Sequence, residues 1–114
     1  MSLSELTKKQ VESILAQFCK QRVPDHVKDQ VRLTFDIKGN NVTLYEERPF
    51  YADPSRWTKM QVAQFRFDPK SKKWSLYCKY RDERWHEHID NIPTTNFRDL
   101  LDEVDEDPTG IFWG

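Results

Sequence analysis

The chain has 114 residues and a formal net charge of −1, with 37% hydrophobic and 32% charged residues. This length predicts a single domain over residues 1–114 with one modest core, and the 13% aromatic content argues against disorder. The near-zero charge excludes a global field that would draw the protein to nucleic acid or to an anionic membrane, so any such binding needs local charge segregation.

Several motif classes are absent from the sequence. Its three glycines do not cluster into a phosphate-cradling loop, and there is no G-x-S-x-G elbow. No signal peptide or membrane-spanning run is present, and residues 1–3 are expected to be a leader without structural weight. Cys19 and Cys78 lie far apart and outside any C-x-x-C motif, which predicts reduced thiols in a cytoplasmic protein.

The first predicted element is an amphipathic helix. Thr7 and Gln10 have the spacing of a capping box, and Leu6 and Val11 have that of a hydrophobic staple, so we expect Thr7 to be the N-cap. Pro24 ends the helix. One apolar stripe follows the i, i+3, i+4, i+7 spacing: Val11, Ile14, Leu15 and Phe18.

A two-residue Gly39-Asn40 turn joins the next two alternating runs into a hairpin. In this register Arg32 opposes Glu47 on one face, which is a favourable cross-strand charge pair. The other face carries three opposed pairs: Ile37 with Val42, Phe35 with Leu44, and Leu33 with Glu46.

Glu46 and Arg48 are charged residues on an otherwise apolar face. In one interpretation they pair with each other at the margin of the core, because buried charges persist only when they are paired. In the other they are polar groups of a pocket that Trp57 completes. Residues 50–60 are predicted to form a long loop that packs on the sheet edge through its aromatic side chains.

The clearest hairpin spans residues 61–80, with a turn-rich segment at residues 68–72. Its register places apolar pairs on one face: Phe67 with Trp74, Phe65 with Leu76, and Ala63 with Cys78. The opposite face, which we call the open face, carries Gln64, Arg66, Ser75, Tyr77 and Lys79. A slip of one residue would mix the two sets, so the alternation specifies the register.

A fifth strand is predicted at residues 84–89. A two-residue turn at Asp82-Glu83 would pair Tyr80 with Trp85. It would also place both histidines of the strand on the open face: His86 and His88. A three-residue turn would invert the strand and move both histidines to the other face.

A second helix follows residues 94–96, and its apolar stripe consists of Phe97, Leu100, Leu101 and Val104. The order of elements predicts an α+β fold: a five-stranded antiparallel meander sheet with an N-terminal and a C-terminal helix packed on one face. Two helices of this size cover only one side of five strands, so we expect the open face to be solvated.

Four segments of the sequence are distinctive: LTFDIKGNNVTLYEERP, VAQFRFDPKSKKWSLY, RWHEH and, above all, DEDPTGIFWG. They resemble a bacterial family of small uncharacterised proteins, catalogued as domain of unknown function 3024, over residues 32–114. At the third turn the family favours Asn-Gly, where this chain has Asp82-Glu83. The resemblance implies a small soluble protein, and it supplies no established activity, substrate or catalytic residue.

His86 and His88, at i and i+2 on a strand, would point to the same side, as two metal ligands could. A third ligand has only distant candidates such as His26, so we expect no metal and no cofactor. Cys78 would face the core, away from both histidines, which argues against a cysteine–histidine nucleophilic pair.

The open face interleaves cations with an aromatic residue, as do sheets that hold the phosphates of single strands and stack their bases. The candidate binding surface consists of Arg66, Tyr77, Lys79, His86 and His88. Single-stranded nucleic acid is therefore one hypothesis for the ligand, and the neutral overall charge stands against it.

The C-terminal segment, residues 105–114, is acidic and then apolar. Carboxylates crowd the end of the second helix, where the macrodipole disfavours them, and form either a solvated face or a surface for a basic partner. The last large apolar residues are expected to dock back onto the domain. The alternative is a protein partner or a homodimer that takes up Ile111, Phe112 and Trp113.

The sequence leaves the substrate or partner unknown, and a non-catalytic binding or interaction protein is the leading hypothesis. Single-stranded nucleic-acid binding is the second, and a small metal-dependent or acid–base enzyme using His86 and His88, or Glu46 and Arg48, is the third. Convergence of these groups with Trp57 in one water-shielded pocket would favour the enzyme.

Overall fold

The computed structural model describes residues 3–88 and 92–113. Its helices are α1 (Glu5–Arg22) and α2 (Phe97–Glu106), with a short 3₁₀ helix at Asp25–Val27. Its strands are β1 (Arg32–Lys38), β2 (Asn41–Phe50), β3 (Asp53–Asp68), β4 (Lys73–Lys79) and β5 (Trp85–Glu87). They form one antiparallel sheet in the order β1-β2-β3-β4-β5, which confirms the predicted α+β meander.

Helix α1 begins earlier than the capping-box spacing predicts. Ser4 is the N-cap, and its hydroxyl accepts a hydrogen bond from the backbone N–H of Thr7 at 3.2 Å. Leu6 is 70% exposed and so makes no staple with the buried Val11. The predicted cap at Thr7 is wrong because a serine three residues upstream supplies the cap first. The predicted stripe is confirmed, since its members belong to the core or pack against it: Val11, Ile14, Leu15 and Phe18.

The β1–β2 hairpin has the predicted register, with Phe35 opposite Leu44 and Arg32 opposite Glu47. Gly39 in the turn has φ 59°, a conformation that glycine adopts without steric cost.

Strands β2 and β3 continue beyond the core as an arm, residues 45–61, in which no residue is buried. The arm is two-stranded beyond Glu47, the last β2 residue that pairs with β1. The predicted loop at residues 50–60 is therefore wrong: β2 reaches Phe50, β3 begins at Asp53, and a tight turn joins them. Pro49 is tolerated in β2 because this end of the strand has no β1 neighbour to which an N–H would donate.

A β-bulge in β3 decides which arm side chains reach the open face. Leu44 pairs with Ala63 whereas Tyr45 pairs with Gln61, so Val62 is an extra residue. Val62 and Ala63 are consequently both buried. The shift turns three alternate residues of β3 toward the open face: Gln61, Lys59 and Trp57.

The β3–β4 hairpin confirms the predicted opposition of Phe67 to Trp74 and of Phe65 to Leu76. The Cα pairs between these strands run from Gln64–Tyr77 to Asp68–Lys73. Ala63 and Cys78, the last predicted pair, are both buried in the core.

Strand β5 has the register of the three-residue turn, with Lys79 opposite Trp85 and Cys78 opposite His86. The two-residue turn is wrong because the carboxylate of Asp82 accepts a hydrogen bond from the Arg84 N–H at 3.0 Å and widens the turn. His86 and His88 therefore lie on the helix side of the sheet and not on the open face. Ile89, the predicted end of this strand, lies outside the described residues.

Both helices pack on the sheet face opposite the open face, and α2 buries its predicted stripe there. Leu3, which we expected in a leader without structural weight, is 7% exposed, and its N–H donates to the Gly39 carbonyl at 3.2 Å. Cys19 and Cys78 are free thiols. Within residues 3–88 and 92–113, no helix is long and apolar enough to cross a membrane.

Candidate functional site

The open face carries four cation–ring pairs in one continuous array. The pairs are Arg32 with Trp57, Arg66 with Tyr77, Lys59 with Tyr45, and Lys79 with Trp85. The cationic atom lies 3.5, 3.9, 4.1 and 5.5 Å from the ring centroid in that order. The pairs involve every strand of the sheet, so the array covers this face from the arm to β5.

Arg66 and Tyr77 are the best-anchored pair of the array. The Arg66 Nε donates to Gln64 Oε1 at 2.7 Å, and Gln64 Nε2 donates to Thr43 Oγ1 at 3.1 Å. Because this chain of hydrogen bonds fixes one edge of the guanidinium, the group lies over the Tyr77 ring at 3.9 Å from its centroid. Arg66 remains half-buried, with its outer surface toward solvent.

Lys79 bridges the middle of the array. Its ammonium donates to Gln61 Oε1 on β3 and lies 5.5 Å from the Trp85 ring centroid on β5. The sequence predicts Lys79 on the open face but places Trp85 with the core, because Trp85 follows the turn whose length was mispredicted. The structure thus brings Arg66, Tyr77 and Lys79 together as expected and adds Trp85 to them.

The arm supplies the remaining rings, Tyr45 and Trp57. The Tyr45 hydroxyl donates to Asp36 Oδ2 at 3.1 Å. Burial and then the neighbouring Asp36 carboxylate raise the pKa of Tyr45, so the hydroxyl stays protonated. Trp57 lies under the Arg32 guanidinium. The sequence does not predict either cation–ring pair, because Tyr45 and Trp57 meet their cations only through the Val62 bulge. The one sequence signal for that bulge is the adjacent apolar pair Val62-Ala63 within an alternating run.

His86 and His88 lie off the open face, and each contacts a different carboxylate. His86 Nε2 lies 2.9 Å from Asp82 Oδ2, and its ring stacks on Tyr80 with centroids 4.4 Å apart. The Arg84 N–H and then His86 lower the pKa of the Asp82 carboxyl. His88 is 3% exposed, and its Nε2 lies 3.2 Å from an oxygen of Glu103 on α2.

Glu46, Arg48 and Trp57 do not converge in one pocket. Arg48 Nε donates to Glu46 Oε1 at 2.8 Å, as the marginal ion-pair interpretation predicts, and this bond raises the pKa of Arg48. Trp57 opposes Pro49 and lies on the open face, whereas Glu46 and Arg48 lie on the helix side, beyond the helices. In the part of the chain that the structure describes, no group of three or more His, Cys, Asp or Glu could hold a metal ion.

The C-terminal tail docks onto its own domain, as predicted. The Asp107 carboxylate accepts the backbone N–H groups of Phe112 at 3.1 Å and Trp113 at 2.9 Å. The Trp113 indole donates to the Val104 carbonyl at 2.7 Å, under the Arg22 guanidinium. Phe112 is 8% exposed and belongs to the core, while Ile111 is 36% exposed at the rim. Phe112 and Trp113 are thus held within their own domain.

A family model described as "Domain of unknown function (DUF3024)" matches residues 3–114, which is essentially the whole chain. The match extends the resemblance seen over residues 32–114 to helix α1. The comparisons with curated proteins and with solved structures each find no match.

Proposed function

Since the chain belongs to the DUF3024 family, which is defined by a domain of unknown function, we propose a function from its geometry: it is a non-catalytic binding protein whose ligand surface is the open face. We further propose single-stranded nucleic acid as the ligand. The observation that carries this proposal is the array of four cation–ring pairs.

The array has the chemistry that a flexible polyanion with unpaired bases requires. Single-strand binders combine cations that follow the phosphates with rings or guanidinium planes on which bases stack. Arg32 and Arg66 are each stacked on a ring, so a base can stack on the outer surface of the guanidinium. No described helix projects from this face to enter a duplex groove, which favours a single strand over a duplex.

The local placement of charges bears on the objection that the net charge is only −1. The cations of the array lie on the open face, whereas α2 and its C-cap lie on the opposite side of the sheet. That helix and its cap hold six carboxylates: Asp99, Asp102, Glu103, Asp105, Glu106 and Asp107. The open face also carries carboxylates, among them Asp36, Glu47 and Glu87, so a polyanion would be attracted by the cation–ring pairs themselves and not by a face of one sign.

The enzyme hypotheses have less support. Glu46 and Arg48 pair with each other, and His86 and His88 are engaged by different carboxylates.

We also propose a cytoplasmic location, which the two free thiols support because cytosolic proteins retain reduced cysteines.

Fluorescence anisotropy of labelled single-stranded DNA and RNA tests the proposal directly, at low salt and up to about 50 μM protein. We expect binding that weakens as salt rises, because phosphate contacts release counterions. The double variant Arg66→Glu/Lys79→Glu should abolish it. The matched control Lys20→Glu/Lys28→Glu makes the same change in net charge at exposed positions away from the open face and should bind like the parent.

Three outcomes would refute nucleic acid as the ligand. They are no binding, binding that is insensitive to salt, and an equal loss of nucleic-acid affinity in the two double variants. Binding of polyglutamate in place of nucleic acid would assign the open face to an acidic protein partner.

A further inference from the structure

A groove of about 620 Å³ runs between the first half of α1 and the start of α2, on the side of the sheet away from the open face. Three aromatic rings in series line it: Phe67, Trp74 and Phe97. The ring centroids of Phe67 and Trp74 are 5.0 Å apart, as are those of Trp74 and Phe97. The volume falls within the range of small-molecule sites, about 300 to 1,000 Å³.

The two charged residues that line this groove are cations, and the Asp99 carboxylate, which does not line it, accepts a hydrogen bond from the lining Asn96 at 3.2 Å. Lys9 projects from α1 and Arg98 from α2, so a cation stands on each wall. No acidic side chain is among the described residues that line the groove. Ser13 and Thr95 add hydroxyl groups at the rim. The groove thus combines an aromatic floor with a cationic, hydrogen-bonding rim.

We propose that this groove binds a small organic anion with an aromatic body. The body would lie against the floor, mainly on the half-buried Phe67, since Trp74 and Phe97 are only 3% and 5% exposed. Aromatic contacts in offset or edge-on geometry are favourable there. The anionic group would lie between Lys9 and Arg98, which approach it from two different helices. A cationic ligand would meet two like charges, and an uncharged one would leave both cations unused.

The groove is independent of the nucleic-acid surface. The floor residues lie on the core face of β3 and β4, whereas Arg66 and Tyr77 lie on the other face of the same strands. Substitutions can therefore remove either site without touching the other.

Titration with two fluorescent dyes tests this assignment. Anilinonaphthalene sulfonate is an aromatic anion, and anilinonaphthalene is the same ring system without the sulfonate. We expect saturable, one-to-one binding of the sulfonate and at least about tenfold weaker binding of the uncharged dye, because only the sulfonate gains the attraction of two cations.

Variants locate the dye. Lys9→Glu/Arg98→Glu should weaken sulfonate binding by at least about tenfold, because two attractions become repulsions. Lys20→Glu, the same substitution farther along α1, should change it by less than about twofold, since screening limits its reach. Ser13→Trp should block the groove sterically, and Arg66→Glu/Lys79→Glu should leave dye binding intact.

Three results would overturn the assignment. They are non-saturable dye binding, equal affinity for the two dyes, and a loss of dye binding in the open-face variant instead of the groove variant. The two proposals can fail separately: the open face can fail to bind nucleic acid while the groove binds the dye, or the reverse.

Discussion

The Arg66 guanidinium lies 3.9 Å from the Tyr77 ring centroid, and its Nε donates to Gln64. The ring supports the planar cation from below while the amide holds its edge. A cation fixed in this way loses little conformational freedom when a ligand stacks on it. This pair is therefore the part of the open face that is best prepared for a base.

Substitution of Arg66 separates the roles of charge and plane. Arg66→Lys keeps the charge and loses the planar group, so we expect single-strand affinity to fall by about 1 kcal/mol with an unchanged salt dependence. Arg66→Gln also loses the phosphate contact, and the slope of log K against log salt should become shallower by about 0.7. Anisotropy titrations at several salt concentrations measure both quantities. Lys79→Arg is the control and should retain the affinity for single strands. Equal slopes of log K against log salt in all variants would contradict a phosphate contact by Arg66.

Asp107 is the residue that folds the tail back. It adopts φ 45°, caps α2 in the left-handed conformation and accepts two backbone N–H groups of the tail. Asp107→Ala should lower the free energy of unfolding by about 2 to 3 kcal/mol, because bonds to a charged acceptor are lost and two half-buried donors are left unpaired. Urea denaturation measures the change.

Asp102→Ala is the matched control on the exposed side of α2. It removes a carboxylate from the C-terminal half of the helix, so we expect a change within about 0.5 kcal/mol, toward higher stability. Similar losses for Asp102→Ala and Asp107→Ala would show that tail capture contributes nothing specific.

The parts of the fold that the sequence predicts are those in which alternation coincides with burial. Phe65, Phe67, Trp74 and Leu76 alternate with polar residues, and one register alone buries all four, so the β3–β4 hairpin is fully specified. The arm has no buried residue, and its pairing depends on backbone hydrogen bonds that leave no trace in side-chain pattern. Residues 50–60 therefore read as a loop.

The candidate site was half predictable for the same reason. Arg66, Tyr77 and Lys79 follow from the register of a buried hairpin. The positions of Trp57 and Trp85 do not follow from that register, because each depends on a one-residue offset. The offset lies at the Val62 bulge for Trp57 and at the β4–β5 turn for Trp85. A one-residue offset inverts every side chain beyond it. The sequence offers no glycine at either place to mark it.

The two thiols should react slowly in the folded protein. Burial raises the pKa of Cys19 from 9.0 to about 11 and also raises the pKa of Cys78. Since the thiolate is the nucleophile, alkylation of Cys19 at about pH 8.5 should be about a hundredfold slower in the native protein than in the unfolded chain. Iodoacetamide labelling followed by peptide mass spectrometry resolves the two sites.

The same shift makes stability depend on pH in the alkaline range. The folded-state pKa of Cys19 lies above its unfolded value, so the neutral thiol contributes stability that is fully present below pH 9.0 and is lost as the pH rises through about 11. Cys19→Ala should remove that part of the alkaline loss in urea titrations. A native labelling rate that stops rising near pH 9.0 would contradict the shift.

Glu83 stores backbone strain at the β4–β5 turn, and its removal should stabilise the protein. It has φ 60°, a conformation that a residue with a Cβ adopts at a cost and that glycine adopts freely. The Asp82 carboxylate, which accepts the Arg84 N–H, keeps the turn in this form. Glu83→Gly should therefore raise the free energy of unfolding by about 0.5 to 1 kcal/mol. The gain is the backbone strain that glycine relieves, less the extra conformational entropy that glycine gives the unfolded chain.

Two glycine substitutions serve as controls for Glu83→Gly in the same urea experiment. Lys72, at the β3–β4 turn, has φ 58°, and Lys72→Gly should give a similar gain. Arg81 lies in the same turn as Glu83 without a positive φ, so Arg81→Gly should lower stability by about 0.5 kcal/mol through unfolded-state entropy alone. If Glu83→Gly lowered stability as Arg81→Gly does, the turn would not hold the strained three-residue form that keeps His86 and His88 off the open face.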